Sequence, residues 1–169
     1  MKVQGNLDMK SNTEADYEAI VVGAGVAGIY QIKRLTDMGM KATVLEADPD
    51  LGGTWYNNRY PGARFDSESY TYGYSFSREV LDEWNWKEMF SAQPENLKYL
   101  NFVADKFDLR KYMQFNCRVQ SAIFDEETEL WKIQVSDGRD LTCRILVLAL
   151  GLLSQPTMPR IEGVEDFKG

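Results

Sequence analysis

The sequence contains no histidine and only two cysteines, Cys117 and Cys143, among its 169 residues. Ordinary zinc sites and thiol–disulfide motifs are therefore excluded, because both need several closely spaced cysteine or histidine side chains. We expect no bound metal. Two isolated cysteines are typical of reduced, buried thiols, and this predicts a cytoplasmic protein.

Long apolar runs and an excess of positive charge are also absent. The longest apolar run, residues 145–153, is interrupted by Gly151 and is too short to cross a bilayer. The net charge is −7 and the charges are dispersed, which disfavours nucleic acid and anionic membranes as partners. Residues 1–16 are polar without an apolar core, so they indicate a disordered leader rather than a signal peptide.

The most informative feature that is present is a glycine fingerprint. Gly23, Gly25 and Gly28 follow the apolar run 19–22, and Val26 lies within the same turn. In a βαβ unit the first glycine allows a tight turn, the second lets backbone approach a pyrophosphate, and the third lets the helix pack closely on the strand. The helix N-terminus then offers N–H groups and a positive dipole end to the phosphates.

Glu46 identifies the kind of nucleotide that this fingerprint predicts. It closes the next apolar run, residues 42–45, eighteen residues after the last glycine. A carboxylate at this position accepts hydrogen bonds from the ribose hydroxyls and repels a 2′-phosphate. The sequence therefore predicts FAD or NAD in this site rather than NADP.

The remaining periodicity predicts an α/β fold. Two strands flank one helix, which is the first unit of a parallel sheet, and alternating residues later in the chain indicate a β-hairpin. The strand at 145–150 is apolar throughout, so we expect it to be buried on both faces. The expected elements after the first strand are a helix at 27–38, a strand at 42–45, a long ordered loop or several turns at 51–76, a short helix at 80–90, a helix from Gln93, a strand region at 113–124, a hairpin of 130–135 with 141–143, and the strand at 145–150.

This order of elements resembles the FAD-binding half of the glutathione-reductase-like flavoproteins, which contain two dinucleotide-binding domains. The resemblance implies a Rossmann-like FAD-binding domain whose parallel sheet carries a β-meander, and we expect it to span residues 17–160. That class has an Ala-Thr-Gly motif after its last strand. This sequence has Ala149-Leu150-Gly151 there, so the glycine is kept and the threonine is not.

A sharper resemblance begins at Gly52. Residues 52–66, Gly-Gly-Thr-Trp-Tyr-Asn-Asn-Arg-Tyr-Pro-Gly-Ala-Arg-Phe-Asp, are similar to the signature loop of the Baeyer–Villiger monooxygenases. The match continues through residues 72–77, 83–86 and 101–110. One position departs from the family, which usually has tryptophan where this sequence has Asn57.

The last residues of the chain agree with this resemblance. Phe167-Lys168-Gly169 matches the first three positions of a family fingerprint, Phe-x-Gly-x-x-x-His-x-x-x-Trp, in the linker to an NADPH-binding domain. The resemblance implies that residues 161–169 begin this linker and that the chain is the N-terminal third of a longer monooxygenase. The NADPH domain and most of the substrate site would then lie in the remainder of that protein.

The resemblance also implies an activity and a set of site residues. Family members use FAD, NADPH and O2 to insert one oxygen atom beside a ketone carbonyl, which yields an ester or lactone. Asp66 and Arg64 would lie where the nicotinamide meets the flavin, and Asp66 resembles the family carboxylate that pairs with an arginine outside this chain. The cofactor-binding residues implied by motif and resemblance are Gly23, Gly25, Val26, Gly28, Glu46, Gly53, Thr54, Trp55, Tyr56, Asn57, Asp66, Tyr72 and Val119.

Two other functions remain open at this point. One is a related flavin monooxygenase that oxidises nitrogen or sulfur, and the other is a non-catalytic module that binds a flavin or nothing. The residues themselves also permit simpler roles, because Asp66 can form a turn and Arg64 can be an ion-pair partner within the loop. We expect Trp84, Trp86 and Trp131 to be packing residues.

Overall fold

A computed structural model describes residues 14–168 of the chain. Residues 1–13 of the expected leader, and Gly169, lie outside this described range. Asp16 anchors the N-terminal end of the described chain to the sheet through Thr142. Its carboxylate accepts hydrogen bonds from the backbone N–H and the hydroxyl of Thr142, each at 2.8 Å.

The first elements form the predicted βαβ unit. Tyr17–Val22 is strand β1, Val26–Asp37 is helix α1 and Ala42–Leu45 is strand β2. The two strands are parallel, with Ala19 opposite Ala42. The helix buries one stripe of residues at helical spacing, made of Gly28, Ile29, Ile32 and Leu35.

The six-stranded sheet combines a parallel part with a meander. Its strands lie in the order β3-β2-β1-β6-β5-β4, and β6 belongs to both parts, since Cys143 lies opposite Tyr17 of β1 and opposite Trp131 of β5. Strands β1, β2, β3 and β6 are parallel, whereas β4, β5 and β6 pair antiparallel. The predicted α/β class with a β-meander is confirmed. The four later strands are β3 (Met113–Gln114), β4 (Val119–Asp125), β5 (Leu130–Val135) and β6 (Asp140–Leu148).

Four α-helices lie between β2 and β3, and only the last is long. Pro94 is in the first turn of that helix, where its missing N–H removes no helical hydrogen bond. The long helix buries Tyr99, Leu100 and Val103 in the same cluster as the buried face of α1. The four are α2 (Thr54–Asn57), α3 (Ser69–Tyr72), α4 (Arg78–Glu83) and α5 (Gln93–Lys106).

Apolar side chains are buried on both faces of the sheet. The larger cluster joins the sheet to α1 and α5 and includes Ile29 and Leu100. The smaller cluster joins the parallel part of the sheet to the meander and includes Ile133, Cys117 and Cys143. Both cysteines are free and buried, and burial raises the pKa of Cys143 to about 11. No helix within residues 14–168 has the length and hydropathy to cross a membrane.

The prediction of one strand region at 113–124 is wrong. Its residues form β3 and β4, which lie at opposite edges of the sheet. Asn116 causes the separation, because it adopts a left-handed conformation with φ 54° and its N–H donates to the Asp48 carbonyl at 3.0 Å. The chain therefore leaves β2 immediately after β3 and crosses to the meander.

One predicted boundary in the connection between β2 and β3 also changes. The short helix expected at 80–90 is α4, which ends at Glu83 because Trp84 is already extended. The segment 51–76, predicted as a long loop or several turns, contains the single-turn helices α2 and α3. Ring contacts of Trp84 and Trp86 with Tyr99, at 5.3 and 4.7 Å between centroids, fix this connection to α5.

The expectation that residues 145–150 are buried on both faces is wrong as well. Ile145 is 46% exposed and Leu148 is 63% exposed. Val147 packs against the larger cluster and Leu146 against the smaller one. The described elements therefore cover this strand only in part, although its composition is that of a fully buried one.

Candidate dinucleotide-binding site

The glycine turn lies where β1 and β6 end side by side. The connection from β1 leads to β2 on one side, whereas β6 lies on the other, and ligands of open α/β sheets bind at such a divergence. Gly23 has φ +102°, and a Cβ there would lie 2.7 Å from the carbonyl oxygen of Ala149 after β6. Only glycine fits this turn between the two strand ends.

The N-terminus of α1 is directed into this turn without a cap. Gly25 is the N-cap residue, no side chain caps the helix, and its first turn carries no acidic residue. Uncapped N–H groups and the positive dipole end favour an anion at this position. Gly28 has the close packing that the fingerprint predicts, because a Cβ there would lie 1.8 Å from the Gly23 carbonyl oxygen.

A second glycine pair closes the other side of the turn. Gly52 donates its N–H to the Ala24 carbonyl at 3.0 Å. Gly53 has φ +52°, and a Cβ on it would lie 2.9 Å from the Cα of Gly25. Two segments of backbone without side chains therefore meet beside the α1 N-terminus, which is the shape that a pyrophosphate group needs.

Glu46 lies at the end of β2 and is only 6% exposed. One carboxylate oxygen, Oε2, accepts from the Ala24 N–H at 2.5 Å, and Oε1 accepts from the Asp48 N–H at 2.9 Å. A carboxylate has about four lone-pair sites, so each oxygen can still accept from a ribose hydroxyl. The sequence predicts that Glu46 binds the ribose, whereas its hydrogen bond to the Ala24 N–H, which holds the glycine turn, appears only in the structure.

The aromatic residues of the signature loop have unequal exposure. Trp55 is buried, and its indole N–H donates to the Tyr72 hydroxyl at 2.8 Å. The Tyr72 ring stacks on the Phe65 ring, with 4.4 Å between their centroids. Burial raises the pKa of Tyr72, so its hydroxyl stays protonated. Thr54 and Tyr56 are partly buried and Asn57 is exposed, so these three α2 side chains have surface left for a ligand.

The structure does not join Arg64 to Asp66. The Arg64 guanidinium lies 3.0 Å from the Glu88 carboxylate and donates to the Phe90 carbonyl at 3.1 Å. Asp66 is exposed, and within residues 14–168 its carboxylate forms no hydrogen bond or ion pair. Arg64 therefore ties two loop segments together, while the Asp66 carboxylate is available to another group.

Asn57 and Val119 lie near the segment that follows Glu46. The Asn57 amide donates to the Asp48 carboxylate at 2.7 Å, which ties the end of α2 to that segment. Val119 begins β4, two residues after Cys117, whose N–H donates to the Glu46 carbonyl at 2.7 Å. The start of the meander therefore runs alongside the residue expected to bind ribose.

Three side chains outside the predicted set also shape the site. The buried Gln93 amide donates to the Trp55 carbonyl, and the Tyr74 hydroxyl donates to the Val26 carbonyl at 2.6 Å. Arg110 bonds to the segment before the second glycine pair. In the sequence, the only signal for Gln93 is its place directly before Pro94, in the first turn of a helix. Sequence offers no comparable signal for the other two.

Comparison with known proteins agrees with this geometry. A family model described as an NAD(P)-binding Rossmann-like domain matches residues 21–91. A 2-oxo-Delta(3)-4,5,5-trimethylcyclopentenylacetyl-CoA monooxygenase of Pseudomonas putida is 48% identical over 152 residues, which are 90% of this chain and 28% of that protein. A Baeyer–Villiger monooxygenase of Pseudooceanicola batsensis is 44% identical over 156 residues, which are 92% of this chain and 29% of that protein.

The fold is similar to solved structures as well. The structure of OTEMO in complex with FAD and NADP is 47% identical and superposes with a TM-score of 0.85, covering 92% of this chain and 30% of that one. The chain thus spans less than a third of the length of the relatives it matches. By sequence and fold the chain is similar to the N-terminal portion of the Baeyer–Villiger monooxygenases.

Proposed function

We propose that this chain binds FAD as the flavin-binding segment of an NADPH- and O2-dependent monooxygenase that inserts oxygen beside a ketone carbonyl. The observation that carries the proposal is the backbone cradle formed by Gly25 and Gly53 beside the uncapped N-terminus of α1. The partly satisfied carboxylate of Glu46 lies at one end of this cradle. Both features fit the diphosphate and ribose of FAD.

Each part of the cofactor has residues of matching chemistry. The α1 N-terminus would hold the pyrophosphate, Glu46 the adenosine ribose, and the backbone at Val119 the adenine. Thr54 and Tyr56 would face the flavin ring, and Trp55 and Tyr72 would support them. When bound, FAD supplies the transfer of reducing equivalents from NADPH to O2 that the oxygenation requires.

The proposed contribution of Asp66 is electrostatic. Its exposed carboxylate would pair with an arginine from the remainder of a full-length protein and set the position of that charge beside the flavin. Arg64 would lie beside Asp66 where the nicotinamide meets the flavin, with its guanidinium group oriented by Glu88.

Wider assignments rest on this proposal. We assign residues 17–160 to the FAD domain and 161–169 to the start of a linker toward an NADPH domain. A ketone and O2 would be the other reactants, and the remainder of a monooxygenase chain would be the partner. The two buried free cysteines support a cytoplasmic location, where thiols stay reduced.

The first prediction separates binding from catalysis. We expect the purified 169-residue chain to bind FAD but to form no ester or lactone from ketones with NADPH and O2, because it carries one dinucleotide fingerprint and the reaction uses two dinucleotides. Equilibrium dialysis measures FAD binding, and gas chromatography measures product against a control with FAD alone. Failure to bind FAD contradicts the proposed function. Product above the control contradicts the expectation that this chain binds FAD without catalysing the oxygenation.

A chimera tests the activity itself. Residues 17–168 replace the matching segment of the Pseudooceanicola batsensis monooxygenase, and the product is assayed with ketones, amines and sulfides. We expect FAD-dependent ketone oxidation. Oxidation of amines or sulfides alone would favour a nitrogen- or sulfur-oxidising enzyme instead.

The second prediction concerns Asp66 in that chimera. Asp66→Ala should leave the FAD content unchanged while slowing flavin reduction by NADPH and ketone oxidation by about tenfold to a hundredfold, since a misplaced charge affects the reaction more than binding. Stopped-flow absorbance and product formation measure the two steps. Asp82→Ala, which removes an exposed carboxylate paired with Arg78, is the matched control. Unchanged rates would leave Asp66 as a turn former.

A further inference from the structure

Arg110 joins helix α5 to a segment sixty residues earlier in the sequence. Its Nη1 lies 2.8 Å from the Asp50 carboxylate, in the segment after β2. Its Nε lies 2.8 Å from the Asp105 carboxylate, and its Nη2 donates to the Asn101 side-chain oxygen, both in α5. All three guanidinium nitrogens are therefore engaged, and the planar fork holds Asp50 at a fixed position relative to α5.

Asp50 transmits this position to the second glycine pair. Its Oδ1, which bonds to Arg110, also accepts from the Leu51 N–H at 2.8 Å. The Leu51 side chain is fully buried, and the next residue, Gly52, donates to the Ala24 carbonyl. A continuous series of contacts therefore runs from Arg110 to the backbone cradle at Gly53.

This segment needs such a constraint because of its composition. Gly52 and Gly53 have φ +133° and +52°, and adjacent glycines lose more conformational freedom on ordering than other residues do. The short helix α2 that follows has four residues and no side-chain cap. An external tie before the glycines reduces the ordering that a ligand would otherwise have to impose.

We propose that Arg110 is a positioning residue for the dinucleotide site, which acts through Asp50 to hold Gly52 and Gly53 against the glycine turn. The inference rests on the proposed function and adds to it a residue that touches neither the turn nor the ligand. A lysine cannot replace it, because an ammonium group is a point charge and cannot hold Asp50, Asp105 and Asn101 in one plane.

The test measures the affinity of the chain for ADP, which probes the half of the site that Arg110 positions. We expect Arg110→Lys and Asp50→Asn each to weaken ADP and FAD binding about tenfold in isothermal titration calorimetry, the equivalent of one charge-assisted hydrogen bond. The double variant should bind no more weakly than either single variant, because the two residues act in series.

Lys111→Gln is the matched control. Lys111 is the next residue, and its ammonium group lies 2.7 Å from Asp108, so the variant removes a cation without touching the Asp50 segment. We expect its ADP affinity to stay within about twofold of the original chain, as for an exposed ion pair. Arg110→Lys with unchanged ADP affinity, or additive effects in the double variant, would overturn the proposal.

A second readout keeps the proposal independent of cofactor binding. NMR hydrogen exchange at the Gly52 N–H in the ligand-free chain reports whether this segment is held against Ala24. We expect faster exchange in Arg110→Lys and an unchanged rate in Lys111→Gln. An original chain that binds neither ADP nor FAD contradicts the proposed function, whereas unchanged exchange at Gly52 contradicts the role of Arg110.

Discussion

Gly28→Ala should abolish FAD binding and lower the free energy of unfolding by about 3 kcal/mol, toward the upper end of the cost of overpacking. A Cβ at this position would lie 1.8 Å from the carbonyl oxygen of Gly23 and 2.9 Å from its carbonyl carbon. Both atoms belong to backbone that is held by β1, so no side chain can rotate away. The start of α1 would have to separate from the turn, and the N–H groups proposed to bind the phosphates would move with it.

Gly73→Ala is the matched control for this prediction. A Cβ on Gly73 would meet the Tyr99 hydroxyl at 3.5 Å, which is an ordinary contact, and the backbone φ of −62° suits any residue. The free energy of unfolding, measured with denaturant, and the free energy of FAD binding, measured by titration, should therefore stay within about 0.5 kcal/mol of those of the original chain. Normal stability and FAD affinity in Gly28→Ala would mean that the helix does not need its close approach to the strand.

The glycine turn could be predicted from sequence because each glycine has a separate steric reason within one short segment. Gly23 permits a positive φ, and Gly28 permits contact between helix and turn. Both requirements arise between neighbours in the chain, so residue type and spacing express them completely. The βαβ unit was predictable on the same basis.

Contacts between distant segments could not be predicted in this way. Asp50 and Arg110 are sixty residues apart, and nothing in either local pattern specifies the other. The signature loop named the residues around Gly53, but their packing against Gly25 depends on how the whole connection folds. The hydrogen bond from the Ala24 N–H to Glu46 likewise depends on how close the ends of β1 and β2 lie in the folded chain.

The two errors in the sheet have related causes. A run of strand-forming residues does not indicate which edge of a sheet it joins, so the sequence predicts one region at 113–124. The left-handed conformation of Asn116, which separates β3 from β4, appears only in the structure. An apolar strand indicates that both faces can be buried, but burial also needs elements that cover them. Ile145 and Leu148 lack that cover among the described residues.

Glu46→Ala should weaken FAD and ADP binding by tenfold or more, because a charged acceptor contributes about 1.5–3 kcal/mol per hydrogen bond. The change also removes the acceptor of the Ala24 N–H, which belongs to a fully buried residue, and that of the Asp48 N–H. We therefore expect an additional loss of about 1–3 kcal/mol in the free energy of unfolding. Flavin retention after dialysis and denaturant unfolding measure the two effects separately.

Glu18→Ala provides the matched control, since Glu18 lies in the same βαβ unit and accepts from the Lys41 N–H at 2.7 Å, but away from the glycine turn. The FAD affinity of Glu18→Ala should stay within about twofold of that of the original chain, because Glu18 and Glu46 share no hydrogen-bond partner. Glu46→Gln isolates the charge, because the amide keeps one acceptor oxygen and no longer repels a phosphate. The original chain should prefer ADP to 2′-phospho-ADP, and this preference should narrow in Glu46→Gln. If Glu46→Ala kept its flavin after dialysis, or Glu46→Gln kept the full preference for ADP, Glu46 would be only a support for the turn and would not contact the ribose.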